Sequence, residues 1–544
     1  MKNTSLQRII FSLFVFTCLC MIATLLCCKH ESGSDVPFVE IQNPENESDV
    51  RLINALKAFI PYVVKDKGTP GLNIALSRRG KIIWEAGFGY ASLEEKTPMT
   101  PQIVCHSGSM GKVYTATAIM QLVEKGILGL DEPVNTYIKD FQITNPLGDR
   151  EITVKDLLTH SAGLTSNVAH PDFLPPEPLG EHLKFRYSQK NFQPYGETLL
   201  PLWSAKVGKV FQYSNMGMAT LGYLVEVTNP EGLSFSDYVQ KHIMNPLGMS
   251  SSQFPPVQDA EHVRPDIFER FSTGYARWGA VDIPTPALYF ADYPAGTVVT
   301  TPGDHIKLLL AYLNRGTYNN YQLLKLETVE LMLTPQSDAF GGRVKMGLMW
   351  LLSNVEEIDF NFSHGGAHMY GWNNDFRAYP KLDFAVAVFT NHWSLPVIDR
   401  ENVIITDFIA AWLKTEQRFS GTGDSSSSWT WKTSYVIGLL FTEQMKGMLG
   451  IKSPLREDMI EAMVRGAKLR TDDYNSISGW DPDGFRAGVQ DMLDTEMNIG
   501  AINEFFRSKK IRVTKKELKK IYHELGGVMG NPSFFVLEQY LKEK

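Results

Sequence analysis

The chain has 544 residues, 43% of them hydrophobic and 21% charged, which gives it the length and apolar content for two or more domains with a sizeable core. This is the composition of an ordinary soluble protein and leaves out the low-complexity and fibrous classes. A net charge of −7 leaves out a broadly cationic nucleic-acid binder.

In chain order, Lys2 and Arg8 precede an uncharged, mostly apolar run from Ile9 to Cys28, closed by Lys29 and Glu31. The pattern predicts an export signal over residues 1–28, and its length also suits an uncleaved membrane anchor. Leu25-Leu26-Cys27-Cys28 is similar to a bacterial lipoprotein box, and a polar tether over 29–49 follows it. Four of the five cysteines, Cys18, Cys20, Cys27 and Cys28, lie in this segment, so Cys105 stands alone and no disulfide is expected within the mature chain. The expected location is periplasmic or cell-envelope, tethered by an anchor or lipid, or secreted.

Val50 to Val64 carries helical spacing, with an end expected near Pro61. Leu72 to Ser77 and Lys81 to Ala86 read as strands joined by the Arg78-Arg79-Gly80 turn. Next comes Cys105-His106-Ser107-Gly108-Ser109-Met110-Gly111-Lys112, then apolar residues at Val113, Ala116, Ile119, Met120 and Val123, ending at Gly126. Ser109 therefore sits at a helix start, and Lys112 lies one turn along the same face. A serine hydroxyl is a weak nucleophile until a base takes its proton, and a lysine serves as that base only when its pKa is lowered. A serine at this place can equally be a helix N-cap. Ser109-Met110-Gly111-Lys112 is the only Ser-x-x-Lys in the chain.

From Asp131 to Leu333 the pattern is mainly helical, interrupted by Pro-rich loops such as Phe173 to Pro178. Within it, Tyr213-Ser214-Asn215 places a phenol and an amide two residues apart, suited to proton relay and orientation. Met346 to Leu352, Asp375 to Tyr379 and Leu382 to Thr390 read as strands, and Val403 to Leu413 as a closing helix. Just before the last strands, His364-Gly365-Gly366-Ala367 couples a histidine to glycines that permit close backbone approach. Strands at both ends with helices between predict one sheet built from the two ends, with an inserted helical part and the site between them. The sequon Asn361-Phe362-Ser363 abuts this stretch, where a glycan would obstruct it, which favours a bacterial source. A Gly/Ser linker over 419–430 leads to a mostly helical domain over 431–544. That domain carries a basic stretch, Arg507 to Lys520, read as a solvated helix face, and Asp481-Pro482-Asp483-Gly484 lacks the ligand spacing of a calcium loop.

Taken together, these stretches resemble the serine β-lactamase and penicillin-binding-protein superfamily, closest to the class C β-lactamase-like serine hydrolases and esterases. The resemblance runs in order from Gly71 to Asn391. It takes in Gly87 to Ala91, the Ser109 helix, Leu128 to Val134, Leu157 to Leu164, Tyr213 to Asn215, Pro246 to Met249, Pro294-Ala295-Gly296 and His364-Gly365-Gly366. It implies an α/β (α+β) fold over 50–418, an antiparallel sheet flanked by helices with an all-helical insert. By the resemblance Ser109 is the acyl-accepting nucleophile, Lys112 and Tyr213 share acid/base work with the order of proton removal open, and Asn215 positions them. The N–H groups of Ser109 and Ala367 would form the oxyanion hole, Gly365 and Gly366 would line the substrate, and His364 would stand where lysine is usual. It implies no metal and no cofactor. Where relatives have Lys-Thr-Gly or Lys-Ser-Gly, this chain lacks both the fixed charge and the hydroxyl, so the expected substrate is a short ester, amide or D-amino-acid peptide. A penicillin-binding D,D-peptidase or β-lactamase, and a non-catalytic binding module, stand as alternatives. The partners expected are a small or short-peptide substrate and a membrane through the N-terminal segment, with no nucleic acid.

Overall fold

The computed structural model describes residues 36–148, 150–165, 177–189, 191–192, 200–278, 281–285, 289–342, 344–355, 359–368, 371–393 and 400–421. The apolar run over 9–28, the Phe173 to Pro176 part of the Pro-rich loop, most of the linker and the C-terminal domain over 431–544 lie outside them. Among the described residues no helix is long and apolar enough to cross a membrane.

The expected polar tether ends earlier than 49, because Phe38–Gln42 forms strand β1. Its Glu40 accepts from Trp84 Nε1 at 2.8 Å and from Lys57 at 2.6 Å, and Phe38 packs on Phe88 with ring centres 4.8 Å apart. Helix α1, Glu47–Lys67, starts where Asn46 accepts from the Asp49 N–H and stops at Gly68 in the left-handed region. It runs straight through Pro61, contrary to the expected end. Burial of Phe59, Ile60, Val63 and Val64 offsets the one hydrogen bond that proline removes. Strands β2, Gly71–Arg78, and β3, Lys81–Ser92, form the expected hairpin, its turn residues Arg79 and Gly80 both at positive φ as a tight two-residue turn requires.

Helix α2, Lys112–Glu124, is buried on nearly every side and ends before Gly126 at φ 69°. The elements that follow include α3, Val154–Leu158, α4, Asn215–Thr228, strands β4, Tyr275–Trp278, and β5, Val281–Pro284, and α5, Pro302–Leu313. The chain then returns through β6, Ser337–Ala339, β7, Val344–Met346, β8, Leu351–Val355, β9, Asp359–His368, β10, Trp372–Tyr379, and β11, Phe384–Thr390. It closes with the short β12, His392–Trp393, and helix α6, Glu401–Gly421. Met346 to Leu352 is not one strand. The apolar run hides a turn in which Met349 takes φ 72° and the Gly347 N–H donates to Trp350 O at 2.8 Å.

Among the described residues the main sheet is antiparallel, in the order β1-β3-β2-β11-β10-β9-β8-β7-β6. The two ends of the domain meet at its centre, where Arg78 lies opposite Phe384 and Leu72 opposite Thr390. Alternation along β10 defines the two helical layers. Phe376 packs on His305 of α5 at 4.7 Å, whereas the neighbouring Asp375 accepts from Thr406 of α6 at 2.6 Å. Asn361 of the sequon is buried in β9 and donates to Ser353 O at 3.1 Å, so it is no glycan acceptor in the folded chain.

Candidate active site

Ser109 lies in a short 3-10 turn, Gly108–Gly111, that leads directly into α2. It does not cap the helix. Its Oγ lies 3.0 Å from Lys112 Nζ and also meets the Tyr213 hydroxyl. Two glycines let backbone touch backbone here. Gly108 is at φ 59°, and a Cβ on it would come within 2.6 Å of the Ala367 nitrogen. A Cβ on Gly366 would fall 1.9 Å from Ser107 O. The expected close approach at Gly365 is not seen, since a Cβ there would meet nothing nearer than Asn374 O at 3.8 Å. β9 therefore presses Gly366 and Ala367 against the serine turn, while His106 Nδ1 accepts from the Gly108 N–H at 2.8 Å and holds that turn from behind.

Lys112 is fully buried. Its Nζ donates to Ala295 O at 2.5 Å, and Thr115 on the next turn donates to Pro294 O at 2.6 Å, so one face of α2 is fastened to consecutive carbonyls. Burial lowers the Lys112 pKa to about 7, with the Asp292 charge pulling the other way. Near neutral pH the amine is therefore available as a base. Tyr213 is driven the opposite way. Burial of its hydroxyl raises the pKa well above the ordinary phenol value, so it stays protonated, and its ring centre lies 4.9 Å from Lys112 Nζ.

Asn215 is the first residue of α4, which Ser214 caps by accepting from the Gly217 N–H at 3.2 Å. It is buried at the start of a helix that packs against α2, beside Tyr213. His364 faces the same space, its ring centre 6.4 Å from that of Tyr213. It carries no positive charge near neutral pH. Burial, with Lys112 nearby, lowers its pKa to about 4. Nδ1 donates to Gly365 O at 2.6 Å, which leaves Nε2 as an acceptor rather than a donor.

One participant carried no role in the sequence reading. His160, in the Leu157 to Leu164 stretch, packs at a tilt against Tyr213 with ring centres 4.5 Å apart, while its Nδ1 accepts from the Ser214 N–H at 3.3 Å. The Gln212 N–H also donates to His160 O at 2.7 Å, zipping the two loops together. Only its place in the ordered resemblance marked it, because its partners lie more than fifty residues away. Cys105, close in sequence, is no rival nucleophile: it is buried and its thiol is pushed up to about 12. Among the described residues no group of three or more histidine, cysteine or carboxylate side chains is arranged to hold a metal ion.

A serine backed by a lysine and a tyrosine, set between an antiparallel sheet and a helical part, defines a serine hydrolase of the β-lactamase and penicillin-binding-protein class. The chain belongs to the Beta-lactamase family, whose model matches residues 55–407. It is 26% identical over 302 residues to the putative penicillin-binding protein PbpX of Bacillus subtilis, covering 55% of this chain and 67% of that protein. It is also 26% identical over 370 residues to the N-acetylmuramyl-L-alanine amidase of the same organism, covering 61% of this chain and 80% of the amidase. Among solved structures, the octameric penicillin-binding protein homologue from Pyrococcus abyssi superposes with a TM-score of 0.54 at 25% identity, covering 66% of this chain and 77% of that one.

Proposed function

We propose that the protein hydrolyses a short ester, amide or D-amino-acid peptide through an acyl-enzyme on Ser109, outside the cytoplasm. The carrying observation is the 3.0 Å contact between Ser109 Oγ and a buried Lys112 amine whose pKa is about 7. With one N–H held by Ala295 O, the neutral amine turns its lone pair to the serine hydroxyl and takes its proton as Oγ attacks the carbonyl. The carbonyl oxygen becomes an oxyanion between the N–H groups of Ser109 and Ala367. Tyr213, protonated and bonded to Ser109, passes a proton to the leaving atom and is restored from Lys112. Water then repeats the sequence on the acyl-enzyme and frees the acid. The neutral acceptor at His364 supports an uncharged substrate over one that needs its carboxylate held. The apolar run over 9–28 supports export.

Turnover of 4-nitrophenyl acetate and butyrate by the full chain, beside Ser109→Ala and a nitrocefin assay, tests this reading. Ester turnover lost in the variant, with nitrocefin turned over far more slowly, is the expected result. Turnover that survives Ser109→Ala removes the nucleophile assignment.

A further inference from the structure

Phe340 stands out among the exposed side chains. It sits at the tip joining β6 to β7, is 51% exposed, and takes φ 47°, a left-handed conformation that a bulky residue adopts only under constraint. Gly342 in the same turn is also at positive φ, 81°, but there glycine meets the demand without strain. The hairpin is pinned near its tip by an ion pair between Asp338 and Lys345. At its other end the Met349 N–H donates to Leu158 O at 3.1 Å, tying this edge of the sheet to the loop that carries His160.

Phe340, half open to solvent, leans on the loop that carries Tyr213. It meets Phe211 edge-on with centres 5.0 Å apart, Phe211 meets His160 at 5.8 Å, and His160 lies on Tyr213 at 4.5 Å. Val210, next to Phe211, is 45% exposed. These rings touch one another, and their outer faces, exposed at Phe340 and partly exposed at Phe211 and Tyr213, make an apolar surface that runs from solvent to the group facing Ser109. Ala367 approaches the serine turn from β9, a different element from the loop that carries Tyr213.

We propose that Phe340 and Phe211 form the leaving-group subsite, and that the substrate carries an apolar, preferably aromatic, alcohol or amine as its leaving group. This deepens the serine hydrolase reading above and rests on it. If Tyr213 delivers the proton to the leaving atom, the rest of the leaving group extends past Tyr213 over the outer faces of Phe211 and Phe340. An aromatic ring laid on the outer faces of this pair gains apolar burial and edge-to-face contact there, and it covers the exposed part of Phe340. The carbonyl oxygen and the acyl portion point away from these rings.

The test compares ethyl, butyl, hexyl and benzyl acetates, whose leaving alcohols differ mainly in size, with 4-nitrophenyl esters of acetate, butyrate and hexanoate, which vary only the acyl side. With the full chain, kcat/KM is expected to be about tenfold higher for benzyl than for ethyl acetate. Phe340→Ala should erase most of that ratio and leave the acyl-length profile in its original shape. Phe340→Gly should lose the same ratio while raising the thermal midpoint, because it relieves the positive φ. A loss equal across both series, or one confined to the acyl series, overturns the subsite. So does a change in sedimentation of Phe340→Ala with the ratio intact, which would assign the patch to a second copy of the chain. Turnover that is absent, or that persists in Ser109→Ala, overturns the serine hydrolase reading and the subsite together. Ser109-dependent turnover with no preference among the acetates removes the subsite alone.

Discussion

At the scale of single residues, the site works by driving two pKa values apart. The same burial that lowers Lys112 to about 7 raises Tyr213, so one group is a base and the other an acid at the same pH. Because Lys112 must be neutral to accept a proton, kcat/KM should rise with pH through about 7 and level off above it, a profile that initial rates across pH 5 to 9 would record. Lys112→Arg keeps charge and length but cannot deprotonate, so its rate should fall by on the order of 10³-fold or more at every pH. Activity of Lys112→Arg with a retained limb near 7 would show that another group titrates. The serine and the lysine were legible in the sequence because their spacing on a helix fixes their separation. The loss of the lysine charge at His364 was legible too, but its tautomer was not, because the Gly365 carbonyl that sets it is brought there by the folded sheet.

At the scale of elements, β9 meets the serine turn where Gly108 faces Ala367 and Gly366 faces Ser107, and of the two adjacent glycines of β9 only Gly366 is needed for it. Gly366→Ala would place a carbon against Ser107 O and push the strand off the turn. A displacement of about 1 Å there should reduce kcat/KM on the order of 10²-fold. Gly365→Ala, with open space around its Cβ, should stay within about 1 kcal/mol of the parent in stability. Thermal unfolding and ester turnover of the pair would separate the two. The sequence displayed both glycines alike, since adjacent residues of a strand face opposite sides and only the sheet reveals which side meets the turn. The hairpin at Arg79-Gly80 was legible because its turn chemistry is local. Met346 to Leu352 was not, because an apolar run reads the same whether it stays extended or folds back at Met349. Helix α1 outlasted Pro61 because tertiary burial outweighed a local rule.

At the scale of the molecule, α6 is tied to the rest through a buried ionic network. His392 lies 2.8 Å from Glu401 and 3.6 Å from Asp282, Thr69 donates to Glu401, and Arg277 holds Asp282 while donating to the carbonyls that end α1. The two carboxylates raise the His392 pKa above 6.5, against burial and the Arg277 charge. The stability it contributes is therefore complete below about 6.5 and lost as pH rises through the raised value. Glu401 is lowered from 4.5 and Asp282 to about 2, so their contribution is complete above about 4.5 and lost as pH falls through the lowered values. The thermal midpoint of the parent should exceed that of His392→Gln by about 3 °C or more at pH 5.5, with the gap shrinking at pH 9. Equal gaps at both would mean that His392 does not ionise. The central pairing of β2 with β11 bears on how the protein is made. Arg78 leaves the ribosome long before its partner Phe384 exists, so β2 has β3 on one side and a bare edge on the other while the helical insert is still being synthesised. A chain terminated before Phe384 would keep that edge permanently, and the product of such a premature stop should aggregate rather than persist as a smaller soluble protein.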